Sequence, residues 1–250
     1  MTKQDLHVHT TYCDGKNTPE EVVLAAIDKG MVRLGFSGHA YQSFDQDPCM
    51  SVEGTVAYRA EIAALKEKYR DKIEILCGIE QEYYSDFPAE GYDYVIGSVH
   101  YLKRDDRYLC LDQSKDEFCG IVQEYFGGDF IAAAEEYYAL VSDVLEKTGG
   151  DIIGHFDLIT KYNEGGRLFD ESDPRYVAAW QAAVDALLPY GKPFEINTGA
   201  IARGHRSSPY PALPILDYIR AHGGRVIMNG DTHAAKNLCY QFDIWEKLMW

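Results

Sequence analysis

Short apolar runs recur along this chain, separated by longer stretches in which apolar positions return every three or four residues. Apolar runs of about four to eight residues bounded by turn signals read as buried strands, and the longer period reads as amphipathic helix. Asp5-Leu6-His7-Val8-His9, Gly35-Phe36-Ser37-Gly38-His39, Val95-Ile96-Gly97-Ser98-Val99-His100 and Ile152-Ile153-Gly154-His155 each end in histidine. Val226-Ile227-Met228-Asn229-Gly230-Asp231-Thr232-His233 ends the same way, and a run from Ile73 to Ile79 ends in Glu80.

The stretches between predict helices. Thr18-Pro19-Glu20-Glu21 is a capping box with proline at the first helical position, and Val22, Val23, Ala26 and Ile27 then turn inward until Gly30. A helix over Val52 to Tyr69 would bury Val56, Ile62 and Leu65. Between His100 and Asp151 lies an insert, about residues 103–150, that reads as two helices, Lys115 to Tyr125 and Phe130 to Lys147, split by Gly127-Gly128. Asp173-Pro174 opens a helix bearing Val177, Trp180, Val184 and Leu187, strand Pro193 to Asn197 follows, and a proline-rich start at Pro211 leads a helix to Gly223-Gly224. After strand Arg225 to Met228 a last helix closes the chain. Seven such β-α units in one 250-residue chain favour one parallel α/β barrel, a single domain over 1–250, rather than an open sheet. An open doubly wound sheet usually carries a glycine-rich phosphate loop, and no G-x-G-x-x-G or P-loop pattern is present.

Composition narrows the classes. A net charge of −16 excludes nucleic acid as the main partner, and no apolar run is long enough to span a membrane. The six cysteines are dispersed without a C-x-x-C pair, as expected of reduced thiols in the cytoplasm. The first strand begins almost at once, which leaves no room for a signal peptide.

Each strand-end histidine taken alone is a weak signal. Together, His7, His9, His39, His100, His155 and His233 fall at the same point of successive units, beside Glu80 and Asp231. In barrels of this type the carboxyl ends of the strands converge on one site, so the set predicts a metal centre. Asp14, in Cys13-Asp14-Gly15, is a further ligand candidate or simply a turn residue. Cys13 lies close by but is set aside, because phosphate chemistry goes with N and O ligands.

The series His7-Val-His9-Thr, Gly38-His39-Ala, Gly78-Ile-Glu80, Ser98-Val-His100, Gly154-His155-Phe-Asp and Gly230-Asp231-Thr-His233 resembles the PHP (polymerase and histidinol phosphatase) family over nearly the whole chain. The insert, with Asp112-Gln-Ser-Lys115 and Glu135-Glu136-Tyr137-Tyr138, and Glu195-Ile-Asn-Thr198 followed by Arg203, look like its branch of monofunctional histidinol-phosphate phosphatases. That resemblance implies a distorted (β/α)7 TIM-like barrel with three divalent metal ions, zinc, manganese or iron. One ion would take His7, His9, Glu80 and Asp231. A second would share Glu80 and take His100 and His155. A third would take Asp14, His39 and His233. The implied reaction is hydrolysis of L-histidinol phosphate to L-histidinol and phosphate, in histidine biosynthesis, by a hydroxide bridging two ions. Another small phosphomonoester or a phosphotyrosine peptide is the alternative substrate, and a non-catalytic metal-binding module is the reading from a different class.

Other groups are assigned by chemistry. Asp231 and His233 are the candidates for proton transfer, although both are counted as ligands. Arg203, after the sixth strand, suits bidentate phosphate binding, with His205, Arg206, Lys161 and Arg167 as weaker candidates. Asp157 and Glu195 are placed either to orient ligand imidazoles or in ordinary salt bridges. Tyr41 and Tyr83-Tyr84 follow strand ends and are candidates for the pocket wall, while most of the 19 tyrosines read as core and surface residues. His222, at a helix end before Gly223-Gly224, is left outside the site.

Overall fold

A computed structural model describes residues 3–249. Met1, Thr2 and Trp250, included in the single domain expected from sequence, lie outside the described residues. The strands are β1 (Gln4–Asp5), β2 (Arg33–Phe36), β3 (Glu74–Glu82), β4 (Tyr94–Ser98), β5 (Tyr101–Arg104), β6 (Arg107–Cys110), β7 (Ile152–Ile153), β8 (Pro193–Asn197) and β9 (Arg225–Asn229). The helices used below are α1 (Pro19–Asp28), α2 (Val52–Tyr69), α3 (Lys115–Phe126), α4 (Phe130–Val141), α5 (Val144–Thr148) and α6 (Pro174–Leu187).

Seven strands form one parallel sheet in the order β1-β2-β3-β4-β7-β8-β9. It nearly closes on itself. Val8 bridges Thr232 in parallel, Thr232 N–H donates to His7 O at 2.8 Å and His9 N–H to Thr232 O at 2.9 Å. Asp5 fills the rest of this seam. Its Oδ1 accepts Gly230 N–H at 2.8 Å and its Oδ2 accepts the Thr232 hydroxyl at 3.0 Å. Burial pushes the Asp5 carboxyl up to about 6 against these hydrogen bonds. The α/β barrel inferred from strand-helix alternation is therefore the observed fold.

The lower barrel is filled by Leu6, Tyr94, Ile96 and Ile152. The Tyr94 hydroxyl lies 2.6 Å from Leu6 O and 3.0 Å from Phe36 O. The ring passes over Gly35 and Gly78, where any Cβ would overlap it. Those glycines are thus required by close approach rather than by turns. Helices pack their apolar faces outside. Thr18 and Glu21 form the expected capping box of α1, and Ser51 caps α2.

Four local expectations are corrected. Val56 is 69% exposed; the buried face of α2 is Thr55, Tyr58, Ile62, Leu65 and Tyr69. The insert is not purely helical, because β5 and β6 form an antiparallel hairpin before α3. Its second helix breaks at Ser142-Asp143 into α4 and α5. The closing helix is a single short turn, Phe242–Trp245. Among the described residues no helix is long and apolar enough to cross a membrane.

Candidate metal centre

Every strand-end donor reaches one place. His7 and His9 follow β1, His39 follows β2, Glu80 lies in β3, His100 follows β4, His155 follows β7, and Asp231 and His233 follow β9. Alternate residues along an extended segment share a face, so His7 and His9 point together, with ring centres 5.2 Å apart. The ring centres of His9 and His39 are 4.5 Å apart, and those of His100 and His155 4.8 Å. Asp231 takes a backbone φ of 45°, in the left-handed region that an aspartate tolerates better than most residues, and this turns its carboxylate back to the site.

Three overlapping donor groups result: His9, Asp14, His39 and His233; His7, His9 and Glu80; and Glu80, His100 and His155, each with donor atoms within 4.8 Å of one another. Asp231 Oδ1 lies 3.4 Å from His9 Nε2 and 3.8 Å from His7 Nε2, adjoining the second group. The geometry also draws His9 toward Asp14, with Nδ1 3.4 Å from Oδ1, while its Nε2 faces Glu80 and Asp231.

The donor set can be tested against divalent ions. His7 Nε2, His9 Nε2 and Glu80 Oε2 are buried and make no hydrogen bond. His7 Nε2 and Glu80 Oε2 approach to 3.2 Å without hydrogen-bond geometry. A buried polar atom left unpaired costs about 1–3 kcal/mol, so several in one place require a common partner. N and O donors converging on one point suit a divalent metal.

The electrostatics agree. Burial opposes charge on His7, yet the carboxylates of Glu195, Glu80 and Asp231 hold it well above its ordinary value. Burial likewise opposes charge on His100, and its hydrogen bond to Glu82 with the nearby Glu80 raises it to about 9. Glu80 stays well below the usual carboxylate range despite burial, because His7 and His39 face it. Asp231 is held down against burial by Arg203 and His7. Protons on the imidazoles thus balance carboxylates that a bound cation would otherwise neutralise.

Buried carboxylates orient the rings. Glu195 Oε1 is 2.7 Å from His7 Nδ1, while Glu195 Oε2 accepts His155 N–H at 2.9 Å. Glu82 Oε2 accepts His100 N–H and also meets His100 Nδ1, both at 2.9 Å. Glu195 therefore takes the imidazole-orienting option. Asp157 does not; its Oδ2 accepts Ala212 N–H at 2.9 Å. Glu82 was not anticipated from sequence, although its spacing two residues after Glu80 in one strand was a usable signal.

A cavity of about 410 Å³ opens above the donors, and Arg203, Lys161 and His205 line it. Arg203 donates to Asp231 Oδ2 at 2.8 Å and to His233 Nδ1 at 2.9 Å. Lys161 Nζ donates to Asp112 O at 2.7 Å and Oδ2 at 3.1 Å. Arg206 is brought elsewhere: it is buried against Thr160 and over the Tyr210 ring, outside this cavity wall. Arg167 is exposed and away from the wall. Tyr41, Tyr83 and Tyr84 do not line it either; Tyr101, on the unforeseen hairpin, does. His222 packs on Tyr218.

A family model for the PHP domain matches residues 5–199. A protein of Deinococcus radiodurans named "Probable histidinol-phosphatase" is 30% identical, over 95% of this chain and 89% of its own length. The histidinol-phosphatase of Bacillus subtilis is 26% identical, over 97% and 98%. A solved structure of histidinol phosphate phosphatase from Lactococcus lactis, complexed with zinc, L-histidinol and phosphate, is 23% identical with a TM-score of 0.75, covering 99% of this chain and 92% of its own. A crystal structure from Listeria monocytogenes gives a TM-score of 0.84 at 21% identity, over 97% of this chain and 100% of its own. With the barrel, the strand-end donors and these likenesses together, the chain belongs to the PHP domain family, in its histidinol-phosphatase branch.

Proposed function

We propose that this chain is a metal-dependent phosphomonoesterase that hydrolyses L-histidinol phosphate to L-histidinol and phosphate, as a step of histidine biosynthesis. The observation that carries it is the cluster of buried donor atoms without hydrogen bonds, set at the floor of a cavity that also presents Arg203 and Lys161. The names of the similar Bacillus and Deinococcus proteins support the substrate. Six free cysteines fit the reducing cytoplasm.

Three divalent ions fit the donor groups: His7, His9, Glu80 and Asp231 for one, Glu80, His100 and His155 for another, and Asp14, His39 and His233 for the third. Zinc is the ion in the Lactococcus structure. Such ions supply Lewis acidity to phosphoryl oxygens and lower the pKa of water to make a nucleophile at neutral pH.

The chain's own residues do the rest. Arg203 lines the cavity with Nη1 held by Asp231 O and His233 Nδ1 and Nη2 by Asp231 Oδ2, which fixes a guanidinium charge where phosphate oxygens would lie. Lys161 adds a point charge, held in place by Asp112. His205 lines the same wall edge-on to Tyr162. Arg206 contributes by supporting the Thr160 segment beneath Lys161. Asp231 and His233 are the two donors that also touch Arg203, so they face the phosphate side, and proton transfer to the departing alcohol is assigned to them. His233 Nδ1 lies 2.9 Å from Arg203 Nη1 and 3.0 Å from Asp231 O, and its Nε2 faces Asp14 Oδ2 at 3.0 Å, the side on which the third ion would sit.

Phosphate release from a panel of phosphomonoesters, with protein carrying its native metals, tests this. The expected result is the highest kcat/KM for L-histidinol phosphate. A hundredfold preference for another ester, a phosphotyrosine peptide included, would replace the substrate. No release from any ester would leave the non-catalytic module.

A further inference from the structure

A groove of about 650 Å³ lies away from the metal centre, and none of its lining residues lines the cavity above the donors. Lys3 and Gln4 at the start of β1 and Met31 just before β2 stand in its wall, so it lies toward the amino ends of the strands, opposite the metal-binding rim. It exists because the outer layer is thin at the seam. β1 and β9 are the end strands of the sheet, and β9 is followed only by short turns, the last of them Phe242–Trp245 and Glu246–Leu248. Four residues of helix cover far less strand than the 10 of α1 or the 18 of α2. Met31, Met228 and Leu238 are buried in the groove, with Phe242 and Met249 half-buried beside them.

Its two rims carry opposite charge. One is Lys3, Lys29 and Val32, held together because Val32 N–H donates to Lys3 O at 3.0 Å and Lys3 Nζ to Lys29 O at 3.3 Å. The other is the turn that carries Asp243, Ile244 and Glu246. The two lysines and two carboxylates line the groove and are exposed. Among the described residues none of the four pairs with an opposite charge; the lysine ammonium groups reach backbone carbonyls. Val32 is 51% exposed and Ile244 47%, so each rim also leaves a large apolar side chain in water. An apolar groove edged in this way marks an association surface.

The pattern also selects the partner. A two-fold interface sets one patch against its own copy, so that residue i meets j and j meets i. With the two-fold axis running along the groove, the lysine rim of each copy faces the carboxylate rim of the other, and Val32 faces Ile244. A partner surface of one charge sign would instead meet a like charge at one rim.

We propose that this face is the interface of a homodimer, in which the turn bearing Asp243, Ile244 and Glu246 of each copy packs on the Lys3, Lys29 and Val32 rim of its partner. Both metal-centre cavities stay open in such a pair, because they lie at the other end of the barrel.

Sedimentation velocity of the metal-loaded protein at micromolar concentration tests this. The expected species has twice the 28.2 kDa of the chain and dissociates on dilution. Ile244→Glu, and separately Asp243→Lys with Glu246→Lys, replace exposed side chains and should weaken the dimer at least about tenfold with an unchanged circular dichroism spectrum. Lys3→Glu with Lys29→Glu should do the same. Mixing the carboxylate-reversed and lysine-reversed chains should then restore a dimer, since both contacts again join opposite charges, and a misfolded chain would not be rescued in this way. A monomer at every concentration overturns the proposal and leaves the groove to another molecule. A dimer that none of these changes weakens uses another face and overturns it too, as do two folded, reversed chains that stay apart when mixed. If the lysine-reversed chain loses its fold, Ile244→Glu and the carboxylate-reversed chain decide: dimers that persist in both refute the interface, and dissociation of both upholds it.

Discussion

Glu80 shows how one residue can organise the centre. It is buried, and its two oxygens together face His7, His9, His39, His100 and His155 within 3.5 Å. No arrangement of hydrogen bonds satisfies all of them, which is why donor atoms remain unpaired around it. Glu195 matters differently. It holds His7 Nδ1 and the His155 backbone, and it is itself fixed by Asn197 and Asn229. Loss of such an orienting carboxylate typically costs metal affinity 10- to 100-fold. Glu195→Ala should therefore lose zinc to a competing chelator at a concentration about 10- to 100-fold lower than wild type does. Unchanged zinc retention with only a lower Tm would reduce Glu195 to a packing role.

At the scale of elements, the site depends on the short approach of strands in the lower barrel. Tyr94 spans the interior from β4 to the carbonyls of Leu6 and Phe36, and Gly35 and Gly78 make room for its ring. A methyl group added at Gly78 must displace that ring or the strand. Overpacking of this kind costs about 1–3 kcal/mol. Gly78→Ala should lower Tm by several degrees in thermal unfolding, and an unchanged Tm would show that Tyr94 moves freely. The hairpin β5-β6 illustrates what local pattern misses. Its turn is Asp105-Asp106, flanked by the charged strand ends Lys103-Arg104 and Arg107, with Asp105 in the left-handed region at φ 51°. Leu102 and Leu109 are its buried aliphatic pair, and they share a core cluster with Phe118 and Val122 of α3 and with the buried face of α4.

At the scale of the whole molecule, an excess of carboxylates is partly stored at the metal centre. Without metal, His7, His9, His39 and His100 are all raised above the ordinary imidazole value, with His100 at about 9. A raised imidazole contributes stability that is fully present below its unfolded pKa and lost as pH rises through the folded one. Glu80, Asp14 and Asp231 are lowered, so their contribution is present above the unfolded carboxylate pKa and lost as pH falls. Chelated protein should thus show its highest Tm between about pH 5 and 7 and lose it toward pH 9. Metal-loaded protein should not show the alkaline loss, because the protons have been displaced. Thermal melts across pH, with and without chelator, check this. Calorimetry in two buffers should show proton release on zinc binding near neutral pH, and none would sink the account.

Much of this was written in the chain itself. Alternation of apolar runs with helical periods determined the barrel, because each strand-helix unit must bury its apolar face against its neighbours. Histidine and carboxylate at the end of each run determined the candidate donor set, because parallel strands in a barrel bring those ends to one rim. Tertiary structure alone decided the rest. It carried Arg206 to Thr160 and Asp157 to the Ala212 N–H, outside the cavity wall, although their places after strand ends had made the first a candidate for phosphate and the second a candidate to orient an imidazole. It brought Glu82 under His100, and it set Asp45 beside Tyr101 across 56 residues of sequence. Such pairings depend on which way a side chain leaves its loop and on what docks opposite, and no local pattern encodes either.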